Sequence, residues 1–210
     1  GMAIAAGALV SRALGAGDED LARRRSATSL IYGVVFGAIE QVVFHFLPVY
    51  GTRLGHSEHM GRVLLLIATL GNALFQFPMG MLADRVNRQK LLTAIMGFAL
   101  IGPILMIFAG QNFTALAVLA FFYIGICTAL YTVGLVLLAQ RFKGHAMAAA
   151  NAAFIFAYGV GSLLIPPMAG RMMDVYRPYG FMCVLAALGA IGLCLVLIGQ
   201  YKRRSTSMPG

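Results

Sequence analysis

The chain has 210 residues, of which 60% are hydrophobic and 11% are charged, and its mean hydropathy is +0.84. A soluble domain is about half apolar and about 25% charged, so this composition argues against a soluble protein and for a chain embedded in lipid. The net charge of +9 does not indicate a nucleic-acid-binding protein, because the basic residues lie between long apolar blocks.

The chain begins with a short apolar stretch over residues 2–14, whereas a helix that spans a bilayer needs about 20 apolar residues. No basic region precedes this stretch, so it is not a signal peptide. We expect residues 1–27 to be the end of an earlier helix followed by a cytoplasmic linker. Six longer apolar blocks are predicted to be transmembrane helices, over residues 28–50, 63–83, 91–109, 113–140, 146–170 and 179–201. Residues 202–210 are predicted to be a cytoplasmic tail.

The basic residues are distributed unevenly between the two sides that these six crossings define. Twelve lie in the amino-terminal segment, the loops after helices 2 and 4, and the tail, whereas the other side has four. Cytoplasmic loops carry an excess of Lys and Arg. Both ends of the segment are therefore predicted to be cytoplasmic, in the cell membrane.

An internal repeat is visible at an offset of 90 residues. The shared pattern is G-x8-G-x3-D, formed by Gly71, Gly80 and Asp84 and again by Gly161, Gly170 and Asp174. The same shift carries each of the first three helices onto one of the last three. Three crossings is an odd number, so the two units face opposite ways, as in the inverted repeats of transporter folds. The predicted fold is an all-α membrane protein of six transmembrane helices in two inverted three-helix repeats.

Polar side chains are concentrated in helices 1, 2, 4 and 5. Within lipid such groups face a bundle interior or a water-filled cavity, so these four helices are predicted to line a cavity. Packing between helices is the alternative, since small and hydroxyl residues allow close approach. The candidate cavity residues are Glu40, Gln41, His45, Asn72, Gln76, Tyr123, Tyr131, Asn151 and Tyr158.

Glu40 is the only acidic residue inside any predicted span. A charged carboxylate at mid-membrane costs about 2.5–3.5 kcal/mol, and binding a proton removes that charge. Glu40 is therefore a candidate for proton coupling, although a structural hydrogen bond to a neighbouring helix would also explain it. His45 is a second candidate, but it lies about 140° around the helix from Glu40, so we expect no direct contact.

Neither a metal ion nor a cofactor is predicted. His56, Glu58 and His59 have a superficial resemblance to metal ligands, but a short, solvated loop explains them better. The three cysteines lie inside apolar blocks and lack the spacing of a zinc site. No nucleophile elbow or metal-ligand spacing is present, so the sequence does not indicate an enzyme.

The segment from Gly80 reads GMLADRVNRQKLL and is predicted to be a tight cytoplasmic loop. We expect Gly80 to let helices approach closely. Asp84 is expected to accept hydrogen bonds from the first N–H groups of helix 3, and Asn87 to adopt a left-handed turn.

This loop resembles the signature G-x-L-A-D-R-x-G-R-[RK] of the major facilitator superfamily. Asn87 replaces the second Gly, and Gln89 replaces a basic residue; the matching positions are Gly80, Leu82, Ala83, Asp84, Arg85 and Arg88. The resemblance implies that the six helices are the carboxy-terminal half of a twelve-helix fold, with helices 3 and 6 at the periphery. It also implies that Gly80, Asp84, Arg85 and Arg88 form a latch between the two halves.

The sequence thus predicts half of a secondary active transporter that moves a small solute by alternating access. Coupling of this transport to protons through Glu40 is one possibility. Its expected partners are the lipid bilayer and a missing amino-terminal six-helix half or a second copy. A six-helix membrane scaffold or assembly factor without transport is the alternative.

Overall fold

The computed structural model describes residues 19–139 and 145–206. This part of the chain forms six helices: α1 (Glu19–Arg53), α2 (Glu58–Arg85), α3 (Arg88–Ala109), α4 (Phe113–Ala139), α5 (His145–Val175) and α6 (Gly180–Thr206). All six contain a segment that is long and apolar enough to cross a membrane, which confirms the prediction of six spans. Most of the predicted end of an earlier helix lies outside the described residues.

The helices extend beyond the apolar blocks that predicted them. The first begins at Glu19 rather than at residue 28, so residues 19–27 of the predicted linker are helical. No Gly or Pro lies between Glu19 and Tyr32, and nothing therefore stops the helix at the membrane surface. Similarly, α5 continues to Val175, past Pro166 and Pro167, and its apolar span ends only there. Hydropathy locates the membrane-embedded segment but not the end of the helix.

The packing of the helices shows the inverted repeat. The three most extensive pairs are α1 with α5, α2 with α4, and α3 with α6. Exchanging the first three helices for the last three turns the α1–α5 pair into the α4–α2 pair and leaves the α3–α6 pair unchanged. The predicted pair of inverted three-helix repeats is confirmed.

The repeated glycines Gly71 and Gly161 have the same role in the two units. A Cβ atom on Gly71 would overlap the carbonyl oxygen of Phe121 in α4, and one on Gly161 would overlap that of Val34 in α1. Both glycines therefore let two helix backbones touch. Gly80 does not, since no atom lies within 4 Å of the position of its Cβ. The expectation that Gly80 brings two helices together is wrong.

Burial differs between the helices. Within the described residues α2 and α5 are the least covered, and Phe77 and Leu163 on them are more than 70% exposed. The polar groups of α3 and α6 contact each other: Gln200 donates to Thr93 Oγ1 at 2.7 Å. The largest uncovered surface of this six-helix unit thus belongs to α2 and α5.

Candidate functional site

Glu40 lies near the middle of the apolar span Leu30–Arg53 and is half-buried. The hydroxyl of Tyr158 in α5 donates a hydrogen bond of 2.7 Å to Glu40 Oε2. Gln41 Nε2 donates to the same hydroxyl oxygen at 3.4 Å. Three predicted site residues from two helices are therefore in contact.

Glycines bring these side chains together. A Cβ atom on Gly37 would overlap the carbonyl oxygen of Tyr158, and one on Gly33 would lie 2.9 Å from that of Phe154. Ser162 Oγ donates to the carbonyl oxygen of Gly37 at 3.3 Å. The backbones of α1 and α5 are thus close enough for a Tyr side chain on one to reach a Glu on the other.

Aromatic rings surround this hydrogen bond. The ring centroid of Phe36 lies 5.5 Å from that of Tyr158 and 5.7 Å from that of Tyr131 in α4. The two Tyr rings are 6.2 Å apart and nearly perpendicular, at 71°. We refer to Phe36, Glu40, Gln41, Tyr131 and Tyr158 as the Glu40 cluster. Sequence analysis did not select Phe36, although its position one helical turn before Glu40 places it on the same face.

The Glu40 cluster contains no basic group. In the part of the chain that the structure describes, every ion pair lies at or beyond a helix end, and none involves Glu40. The partners of the carboxylate are neutral.

Two other candidates, His45 and Asn151, lie near the cluster without joining it. His45 is exposed, and its Nδ1 is 2.7 Å from the carbonyl oxygen of Gln41, so it does not bond Glu40, as its angular position predicted. Asn151 is half-buried in α5, about 10 Å of helix rise from Tyr158 towards the end that is predicted to be cytoplasmic.

The remaining candidates are placed elsewhere. Tyr123 is completely buried, packs directly on Gly102 of α3, and donates to the carbonyl oxygen of Ala99 at 3.3 Å. It holds α3 against α4 and faces no cavity in this six-helix unit. Gln76 donates to Asn72 at 3.2 Å on the uncovered surface of α2.

The outer loop shows no metal centre. No group of three or more His, Cys, Asp or Glu residues among the described residues is arranged to hold a metal ion. The ring of His56 packs against Phe113 with centroids 5.4 Å apart, and Glu58 pairs with Arg62 at 3.6 Å.

The loop between α2 and α3 differs from its predicted geometry. Asn87, with a φ of −62°, caps α3 by accepting hydrogen bonds from the backbone N–H groups of Gln89 and Lys90. The predicted left-handed turn at Asn87 and the predicted capping role of Asp84 are both wrong. Asp84 lies within the last turn of α2, where its Oδ1 instead accepts from Arg88 Nη2 at 3.3 Å.

The carboxy-terminal end of α5 carries the repeat equivalent of this loop. Asp174, which corresponds to Asp84, bonds Arg53 at the end of α1 at 2.6 Å. Arg177 lies 3.9 Å from the same carboxylate oxygen. Each repeat therefore ends its second helix in an Asp–Arg pair.

The family model of the Major Facilitator Superfamily matches residues 21–208, which is most of the chain. The chain belongs to the major facilitator superfamily. It is 28% identical over 190 residues to the uncharacterized MFS-type transporter YfkF of Bacillus subtilis (strain 168), covering 85% of this chain and 48% of that protein. It is 27% identical over 173 residues to the uncharacterized MFS-type transporter YcaD of Salmonella typhi, covering 81% of this chain and 43% of that protein. The chain spans about half the length of the curated relatives it matches.

Membership in the major facilitator superfamily confirms the resemblance of the loop, which departs from the family pattern at Asn87. The family pattern has Gly at this position, whereas this member has a side chain that caps α3. The matching residues Asp84 and Arg88 pair within the loop, and Arg85 is exposed.

Proposed function

We propose that this chain is one half of a secondary active transporter of the cell membrane, which moves a small solute by alternating access with proton coupling at Glu40. The observation that carries the proposal is the hydrogen bond of 2.7 Å between Tyr158 and Glu40, near mid-membrane and without a basic partner.

Proton binding at Glu40 would change the contact between α1 and α5. The carboxylate accepts a hydrogen bond from the Tyr158 hydroxyl, whereas a protonated carboxyl group is itself a donor. Gain or loss of a proton thus alters a bond that joins two helices of different repeats. Pro166 and Pro167 lie further along α5, and proline in a membrane helix leaves backbone groups that neighbouring contacts must satisfy. A bend at these residues is how α5 would respond.

A second six-helix half would complete the transporter. The uncovered surfaces of α2 and α5 carry both large apolar side chains and the Asn72–Gln76 pair, a mixture that suits a partner with a solvated path better than lipid alone. We infer that this surface faces the other half, either in the same polypeptide or in a second copy. The exposed Arg85 and the Asp84–Arg88 pair would form the cytoplasmic latch between the halves.

The proposal is tested by hydrogen–deuterium exchange of the full-length protein in lipid nanodiscs at two pH values, corrected for intrinsic exchange. We expect protection of α1 and α5 to depend on pH in the wild type and not in Glu40→Gln, which keeps the shape of the side chain but does not titrate. Glu58→Gln, at an exposed outer position, is the matched control and should behave as the wild type does.

A pH dependence that persists unchanged in Glu40→Gln would remove this carboxyl group from the coupling step. If the exchange protection of neither α1 nor α5 depends on pH in the wild type, the result would favour the alternative of a non-transporting scaffold.

A further inference from the structure

The Glu40 cluster has the chemistry of a site for an organic cation. Its only charged group is a carboxylate, and no basic residue of the described chain pairs with it. Tyr158 donates to the carboxylate, and the Tyr131 ring packs against the Tyr158 ring. Both Tyr residues are partly exposed, so some of each side chain remains uncovered by the described chain. Phe36 packs against both Tyr rings and is buried, with 3% of its surface exposed.

Each of these groups attracts positive charge for a separate reason. An aromatic ring has a negative face, which attracts a cation within about 6 Å, more strongly when the cation is desolvated. The perpendicular Tyr131 and Tyr158 rings form a corner that can contact a rounded apolar ion on two sides. A carboxylate adds direct Coulomb attraction, which is stronger at mid-membrane than in water. The same carboxylate repels anions.

We propose that the Glu40 cluster binds the positively charged group of a lipophilic organic cation. The transport of such a cation rests on the function proposed above, but its binding does not. The cation and the proton neutralise the same carboxylate, so they compete.

The test uses two ions of the same size and shape but opposite charge, tetraphenylphosphonium and tetraphenylborate. Binding to the purified full-length protein in neutral detergent is measured by equilibrium dialysis, with neutral triphenylphosphine oxide as a third ligand. We expect tetraphenylphosphonium to bind at least about tenfold more tightly than the other two, given a charge pair and two ring contacts.

Substitutions at Glu40 and Tyr131, each with a matched control, assign the binding to these residues. Glu40→Gln should weaken tetraphenylphosphonium binding about tenfold or more, whereas Glu58→Gln should not change it. Tyr131→Ala should weaken binding and Tyr131→Phe should not, because the ring and not the hydroxyl makes the contact. The thermal midpoint of each variant shows that it is folded.

Equal binding of the cation and the borate anion would overturn the proposal, as would undiminished cation binding by folded Glu40→Gln. Since dialysis requires no alternating access, these results are independent of the exchange experiment. If hydrogen–deuterium exchange depends on Glu40 but the protein does not prefer the cation, the proposed substrate class is wrong and the proposed function stands.

Discussion

Three glycines decide where Glu40 and Tyr158 lie relative to each other. Gly33 and Gly37 on α1 contact backbone carbonyls of α5, and Gly161 on α5 contacts the carbonyl of Val34 on α1. A larger residue at any of these positions would separate the two helices. The hydroxyl of Tyr158 reaches the carboxylate at 2.7 Å only because the backbones touch. At the scale of single residues, the site therefore depends on these glycines, which have no side chain, as much as on Glu40 and Tyr158.

Gly161→Ala is predicted to destabilise the protein by about 1–3 kcal/mol, because the added methyl group would overlap the backbone oxygen of Val34. Unlike a side chain, this oxygen cannot rotate out of the way. The measurement is the thermal midpoint of the purified protein in detergent. Gly159→Ala is the matched control, since no atom lies within 4 Å of its Cβ position, and its midpoint should not fall. Similar losses at both positions would show that helix contact is not the cause.

Helix ends are set by capping groups and not by hydropathy. Ser57 begins α2 by accepting a hydrogen bond from the backbone N–H of Met60, and Asn87 begins α3 in the same way. Because Asn87 caps α3, only Val86 and Asn87 lie between α2 and α3. The Asp84–Arg88 pair spans this junction at 3.3 Å, so the position of the family loop depends on where α3 starts.

Asn87→Ala is predicted to cost about 0.5–2 kcal/mol, because two N–H groups at the start of α3 lose their acceptor. Asn87→Asp should retain stability, and Asn87→Gly, the residue of the family pattern, should lose only a few tenths of a kcal/mol. Chemical or thermal unfolding of the three variants gives the order of stability. An Ala variant as stable as the Asp variant would contradict the capping role.

For the whole molecule, the two inverted repeats place an Asp–Arg pair at each membrane face, Asp84 with Arg88 and Asp174 with Arg53. The repeats also leave α2 and α5 as the uncovered helices, one from each unit. A surface made by equivalent helices of two inverted units is suited to contact a second half of the same construction. The sidedness of this arrangement follows from the basic residues, twelve of which lie on the side predicted to be cytoplasmic.

Cysteine labelling tests that orientation. In a cysteine-free background of the full-length protein, His59→Cys should react with a membrane-impermeant maleimide in intact cells, because the first turn of α2 is predicted to be outside. Val86→Cys in the α2–α3 loop should react only after the cells are permeabilised. Both positions are exposed, so burial does not explain a difference. The reverse pattern would invert the predicted topology.

The sequence by itself determined that the chain is embedded in lipid, how many helices cross the membrane, and that these helices form two repeats. Lipid offers no hydrogen bonds to the backbone, so a long apolar segment must be helical, and six such segments can be counted without a structure. The family loop could also be recognised from the sequence, because its residues are contiguous. The contacts inside the loop could not be predicted, since whether Asp84 or Asn87 caps α3 depends on the residue at which α2 ends.

Only the tertiary structure decided which polar residues meet. Glu40 and Tyr158 are 118 positions apart, and their contact requires the pairing of α1 with α5 at a particular rotation of each helix. Tyr123 and Tyr131 looked equivalent in sequence, yet eight residues turn a helix by about 80° beyond two full turns. That rotation directs Tyr123 into the contact with α3 and Tyr131 towards Tyr158 of α5. Spacing along one helix fixes its own faces, but the packing of several helices against one another determines what each face touches.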